Sequence, residues 1–399
     1  MGKKIGIYGG TFDPPHLGHM RAARETAARL KLDEILLVPA RLPPHKQLPE
    51  DAGTPEQRLE MIGYIADALS LDLPCRVLDL ELKRQGPSYT VDTLRELRRA
   101  HPDDELWLLM GTDMFLSFQD WREPEQIAEL AHLCAFGRHD ADKGAILSRQ
   151  RERLQALYPH AEIRALTLRS LVDVSSTDLR HRLREGEGGG GLWPPVYGYI
   201  LRNRLYGTAA DMKRLELPEL RAVSQSMIKA KRIAHVLGTE EEAVRLAKRW
   251  GAEELPARRA AILHDCTKYY TAAEQLQLCE KYGIVLDTLE RELVKLQHAL
   301  TAAALAEHVF GEPPEVCRAI RWHTTGRADM SLLEKIIYMA DYIEPNRDFD
   351  GVEGLRELAY RDLDAAILAG LEMTVEEMNE RGLPVHGKTL EAVAFLRGV

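Results

Sequence analysis

Apolar positions change their period near the middle of the chain. In the first half, short apolar runs at 5–8, 34–39, 106–110 and 133–137 have the length of buried strands, while 18–30, 56–69 and 90–100 repeat apolar residues at helical spacing. Strands alternating with helices of this length predict an α/β fold, a doubly wound parallel sheet covered on both faces. From Ser224 onward, helical-period stretches follow one another over 225–237, 240–250, 257–270, 273–281, 290–309, 314–322, 331–342 and 360–379. Turns at Gly238, Gly251, Gly283, Gly311 and Gly326 divide them, and this half is expected to be all-α. The glycine run at 186–191 reads as a loop, because Pro195-Val196-Tyr197-Gly198-Tyr199-Ile200 after it continues like a closing helix. The expected division is 1–207, a join over 208–221, and 222–399, with no fixed-period repeat.

Composition narrows the function classes. The 399 residues are 45% hydrophobic and 29% charged, an ordinary globular balance. Lys+Arg 53 against Asp+Glu 62 leaves a net charge of −9, which argues against a chain that coats nucleic acid or anionic membrane. No apolar run nears the roughly 18 residues of a membrane span, and the first residues do not read as a secretory leader, so a cytoplasmic protein is expected. The five cysteines, Cys75, Cys134, Cys266, Cys279 and Cys317, are scattered and suggest neither a disulfide framework nor a thiolate zinc site. Self-association is left open.

Directly after the first strand stands Gly9-Gly10-Thr11-Phe12-Asp13-Pro14-Pro15-His16-Leu17-Gly18-His19, followed by a helix. Glycines admit a ligand to the backbone, and a helix N-terminus offers free N–H groups to an anion. His16 and His19, three apart, can both face bound phosphates and stabilise a leaving group. The string is neither a Walker loop nor a Gly-x-Gly-x-x-Gly turn. It resembles the signature of the HxGH nucleotidyltransferase superfamily, which implies a Rossmann-like nucleotidyltransferase using Mg²⁺ with its nucleoside triphosphate. Further segments narrow the resemblance: Pro43-Pro44-His45-Lys46, Pro87-Ser88-Tyr89-Thr90, Gly111-Thr112-Asp113, Trp121, Arg138 and Val174-Ser175-Ser176-Thr177-Asp178-Leu179-Arg180. Together they are similar to bacterial nicotinate-nucleotide adenylyltransferase over about 3–207, with Val174 and Leu179 where that family usually has isoleucines. The resemblance implies ATP and nicotinate mononucleotide as substrates, held by Gly9, Gly10, Thr11, Phe12, Lys46, Thr90, Asp113, Trp121, Arg138, Ser175, Ser176, Thr177 and Arg180. Lys46 would meet a substrate phosphate and Trp121 would stack on a pyridine ring; the Ser-Ser-Thr helix start with Arg180 would hold ATP.

In the helical half, His235, His264, Asp265, His298, His323 and Asp341 each lie in or at the end of an expected helix amid apolar neighbours. Imidazoles and carboxylates converging from facing helices are how bundles hold metal ions. The series resembles the HD-domain metal hydrolases. Lys231-Arg232-Ile233-Ala234-His235, Leu263-His264-Asp265-Cys266-Thr267-Lys268, His323-Thr324-Thr325-Gly326 and Ala340-Asp341-Tyr342-Ile343-Glu344-Pro345-Asn346-Arg347 look like a bacterial HD family that cleaves diadenosine tetraphosphate symmetrically to two ADP with two iron ions. By that resemblance Asp265 bridges the metals, His235, His264 and Asp341 complete one site, and His298 and His323 the other. Lys268 and Arg347 suit phosphate contacts, Lys268 with a part in catalysis. Three alternatives stay open: for this half a nucleotide-binding regulatory module or hydrolysis of another nucleotide, and for the first half a different acceptor such as phosphopantetheine. Gly382-Leu383-Pro384-Val385-His386-Gly387-Lys388-Thr389 fits the written Walker pattern, but an expected helix precedes it where a strand is needed, so it is read as coincidental.

Overall fold

The computed structural model describes residues 2–44, 48–138, 141–169, 172 and 174–398, without the side chains at 138 and 141–143. The chain divides into two compact units, Met1–Ala209 and Ala210–Val399. Among the described residues no helix is long and apolar enough to cross a membrane.

The first unit is the doubly wound sheet its alternation predicts. Six strands, β1 (Lys4–Gly10), β2 (Glu34–Pro39), β3 (Cys75–Val77), β4 (Glu105–Gly111), β5 (His132–Arg138) and β6 (Ile163–Leu168), lie in the order β3-β2-β1-β4-β5-β6. All the pairings are parallel. The central strands are apolar on both faces, as in a sheet covered by helices on two sides: Ile5, Ile7, Leu36, Leu106, Leu108 and Leu133 are buried on one face, and Leu37, Trp107, Leu109 and Cys134 on the other. β3 and β6 do not stand out as apolar runs because they are the edge strands, and Arg76 and Arg164 face solvent there. The helix Leu17–Leu30 follows β1 directly, with His16 as its N-cap.

The second unit has no strand among its described residues. Five helices form its centre: Ala230–Trp250, Glu254–Leu263, Val294–His308, Pro314–Trp322 and Leu332–Ile343. Several boundaries differ from the expected ones. Gly238 is not a turn; the helix Ala230–Trp250 runs through it. The helix expected over 257–270 stops at Leu263, so His264 and Asp265 sit just past its end. The stretch 290–309 breaks at Leu293, whose ψ of 92° is extended, and the stretch 360–379 begins a new helix after Asp362. The join expected over 208–221 is also shorter. Leu215 and Leu220 are buried, and Arg259 donates to the Leu215 carbonyl at 3.0 Å, so 210–221 packs as part of the second unit. The Walker-like stretch begins after the helix Leu363–Glu380 and runs into the helix Gly387–Arg397, with a helix and not a strand before it.

Candidate active centres of the two units

β1 and β4 are neighbours from which the chain winds in opposite directions, and the crevice beyond their C-terminal ends is where open parallel sheets bind ligands. Two cavities fill it. One of about 490 Å³ is lined by Gly9, Gly10, Thr11, Thr90 and Trp121. The other, of about 700 Å³, is lined by His16, Asp113, Ser175, Ser176 and Thr177. Both include Tyr8, His19, Gly111 and Met114, so His19 stands where the two lobes meet.

The two histidines are set by main-chain bonds. The His16 amide donates to His19 Nδ1 at 3.2 Å and the His19 amide to His16 Nδ1 at 3.4 Å. An Nδ1 that accepts holds no proton, so in each neutral ring the proton is on Nε2. The rings lie 3.7 Å apart between centroids. Gly18 makes this approach possible, since a Cβ there would meet the His16 ring at 2.9 Å. Burial pushes His16 down to about 4 and His19 well below its ordinary value, the latter with help from His16. Near pH 7 both are therefore neutral N–H donors.

The loop between β1 and this helix is braced from beneath. Arg58 is fully buried and donates to four carbonyls: Thr11 at 2.8 Å, Ala40 at 2.6 Å, Arg41 at 3.1 Å and Gly53 at 3.2 Å. Asp13 accepts from the Gly53 amide at 2.9 Å and the Tyr206 hydroxyl at 2.7 Å. Neither Arg58 nor Tyr206 carries a motif, and only their spatial convergence shows their part.

Several expected binding residues are placed otherwise. Arg180 does not line either cavity; it donates to the Asp13 carbonyl at 2.6 Å and to Thr177 Oγ1 at 3.3 Å, because a buried guanidinium must satisfy its donors locally. Phe12 is buried against Tyr8 and His19, with centroids at 5.7 and 5.1 Å, and wedges the loop instead of lining a cavity. Ser175 Oγ caps the helix Ser176–Arg184 by accepting from the Asp178 amide at 3.1 Å, and Ser176 Oγ donates to the Pro14 carbonyl at 3.0 Å. These hydroxyls hold the wall, and the first-turn amides are what this helix start offers an anion. Trp121 Nε1 is buried without a partner on the wall of the first lobe. Lys46 and the Arg138 side chain lie outside the described residues.

In the second unit all six expected ligands converge. His264 Nδ1 donates to the Ala261 carbonyl at 2.6 Å, His298 Nδ1 to Lys295 at 2.6 Å, and His323 Nδ1 to Ile320 at 2.7 Å. His235 Nδ1 lies 3.1 Å from the Glu344 carboxylate, also an acceptor. With the proton on Nδ1, the neutral form of each ring has its lone pair on Nε2, and these four atoms point at one another. His298 and His323 Nε2 are 3.1 Å apart, and His235 and His264 Nε2 3.3 Å. His235 Nε2 is 3.0 Å from Asp341 Oδ1, and His298 Nε2 is 3.1 Å from Asp265 Oδ1. Asp265 Oδ1 is buried with no hydrogen-bond partner. Lone pairs and carboxylate oxygens crowded together favour a cation among them. The ligand atoms of His235, His264 and Asp341, and those of His264, Asp265 and His323, fall within 4.8 Å of one another, so the donor set fits metal. Asp265 divides its oxygens, Oδ1 toward His298 and His323, Oδ2 toward His264 at 3.5 Å and His235 at 3.8 Å. Burial lowers His264 to about 3 and His298 to about 4, which keeps the lone pairs available.

Three cations border this centre. Arg232 donates to Asp265 Oδ2 at 2.6 Å, Arg347 to Asp341 Oδ1 at 2.8 Å, and Lys268 Nζ lies 3.1 Å from His298 Nε2. Arg232 stands inside a segment singled out in the sequence, but a lone surface-spaced arginine gives no sign of its partner. A third group of possible ligands, Asp287, Glu290 and His386, differs: His386 Nδ1 accepts from the Lys388 amide at 3.1 Å, so its Nε2 carries the proton.

Comparison with known proteins gives the class first. A cytidylyltransferase-like family model matches residues 7–182, and an HD domain model matches 232–346. The first unit is thus a nucleotidyltransferase-type α/β domain and the second carries an HD domain. Over 215 residues the chain is 42% identical to a probable nicotinate-nucleotide adenylyltransferase of Shewanella sp. (strain MR-4), covering 51% of this chain and 99% of that protein. It is 38% identical over 206 residues to a protein of the same description from Shouchella clausii (strain KSM-K16), covering 51% and 97%. The chain belongs, through its first half, to the nicotinate-nucleotide adenylyltransferase family. Among solved structures, a protein of Clostridium acetobutylicum described as a predicted HD superfamily hydrolase involved in NAD metabolism is 37% identical, covering 46% of this chain and 98% of that one at a TM-score of 0.45.

Proposed function

We propose that the chain carries two enzymatic centres. The first transfers the adenylyl group of ATP to nicotinate mononucleotide, giving nicotinate adenine dinucleotide and pyrophosphate for NAD biosynthesis. The observation that carries this reading is the two-lobed crevice with His19 at its junction. ATP fits the lobe of His16 and Ser175–Thr177, and the pyridine nucleotide fits that of Thr90 and Trp121. The acceptor phosphate oxygen attacks the α-phosphorus in line and pyrophosphate leaves, with Mg²⁺ accompanying the triphosphate. No covalent nucleophile is needed, because the work is positioning and charge stabilisation. His16 and His19 donate from Nε2 to the departing phosphates.

The second centre hydrolyses diadenosine tetraphosphate symmetrically to two ADP. The convergence of histidine Nε2 atoms on Asp265 and Asp341 supports it. His235, His264, His298, His323, Asp265 and Asp341 would hold two metal ions, iron by resemblance. Such ions supply Lewis acidity toward phosphate and water. Lys268, Arg347 and Arg232 stand at the rim, where they neutralise a polyphosphate chain.

Product analysis of the whole chain tests both readings. With nicotinate mononucleotide and ATP, equal amounts of nicotinate adenine dinucleotide and pyrophosphate are expected. With diadenosine tetraphosphate and Fe²⁺ or Mn²⁺, ADP alone is expected. Absence of the dinucleotide rejects the first reading. ATP plus AMP rejects symmetric cleavage, and retained metal without turnover favours a regulatory module.

A further inference from the structure

His235 differs from the other three histidines of its centre. Those anchor Nδ1 on a main-chain carbonyl, whereas His235 lies within the helix Ala230–Trp250 and turns Nδ1 to Glu344 Oε1, 3.1 Å away. Glu344 is 1% exposed and sits just past the helix that bears Asp341. Its Oε2 accepts from the Asn346 amide at 2.7 Å and from Asn346 Nδ2 at 2.8 Å. Asn346 Nδ2 also donates to the Ala234 carbonyl at 3.1 Å, tying the loop to the helix of His235. This carboxylate needs room against that helix. A Cβ at Gly238 would lie 2.2 Å from Glu344 Oε2 and 2.9 Å from Asn346 Nδ2. Glycine inside a helix is less favourable than alanine, so its presence here calls for a reason.

We propose that Glu344 is the positioning residue for His235 and that Gly238 is the space it occupies. The buried carboxylate fixes the ring with Nε2 toward Asp341 and makes the imidazole a stronger ligand. The inference rests on the metal-hydrolase reading of this unit.

The test uses the full chain, stripped with chelator and titrated with Mn²⁺, reading the dissociation constant and the ions retained per chain. Glu344→Gln is expected to weaken Mn²⁺ binding by about ten- to a hundredfold. Gly238→Ala is expected to act in the same direction. Tyr360→Phe is the comparison: it removes the hydroxyl that donates to buried Glu242 on the same helix at 2.7 Å, and should lower the melting temperature without changing Mn²⁺ affinity. Equal affinity in wild type and Glu344→Gln overturns the inference. So does matching weakening in Tyr360→Phe, which would make the effect general destabilisation. A wild-type chain that retains no Mn²⁺, Fe²⁺ or Zn²⁺ overturns the metal-hydrolase reading and the inference with it.

Discussion

At the scale of single residues, protonation and buried donors decide most of what the centres can do. His16 is held neutral by burial, down to about 4 from 6.5, so between these values the unfolded chain binds a proton that the folded chain does not. Its contribution to stability is full above about pH 6.5 and is lost as pH falls toward 4, by about 1.4 kcal/mol per pH unit. Urea unfolding at a series of pH values should show stability falling over this range, and His16→Gln should reduce the slope by about 1.4 kcal/mol per pH unit. Arg58→Met leaves buried carbonyls of Thr11, Ala40, Arg41 and Gly53 without their donor, and a loss of about 3 kcal/mol or more is expected in the same measurement. The grouping of His16 with His19, and of the six candidate ligands with one another, is legible in sequence because these residue types stand in a recognisable order along the chain. Arg58, Tyr206 and Glu344 are not, since their roles depend on partners far along the chain, such as the 193 positions between Asp13 and Tyr206.

Elements were legible where period and punctuation agree. The helix Pro314–Trp322 starts at its proline and coincides with the expected stretch. Edge strands and helix breaks were less so, because β6 mixes Arg164 and Thr167 with its apolar residues, and Gly238 looks like a stop until its packing is seen. The caps carry their own consequence. Ser175→Ala removes the acceptor of the Asp178 amide, which should cost about 1 kcal/mol in thermal unfolding. Because Ser175 lines only the lobe assigned to ATP, KM for ATP should rise while KM for nicotinate mononucleotide stays unchanged in steady-state kinetics.

For the whole molecule, each unit has its own core and its own centre, and the change of period near Ser224 already separates them in the sequence. The two activities should therefore be separable. His19→Ala is expected to lower kcat for adenylyl transfer by about 10²–10³ and leave tetraphosphate cleavage intact. His264→Ala should abolish metal retention and cleavage while sparing adenylyl transfer. Parallel assays of both variants with both substrate sets check this, and a loss of both activities in either variant would contradict it.

The brace under the glycine loop has a consequence for how the chain meets salt. Its net charge is −9, yet Arg58 and Arg180 place two permanent positive charges under residues 11–13, opposed there by Asp13. All three side chains are buried. Dissolved ions screen exposed charges over a Debye length of about 8 Å at physiological strength, and buried ones far less. For a triphosphate seated over the loop, as the proposed reaction requires, attraction to these two guanidiniums would pass mostly through protein and be screened less than a contact made through solvent. KM for ATP should therefore rise less as KCl is raised than that of a site built from surface lysines alone, which steady-state kinetics over a KCl series checks.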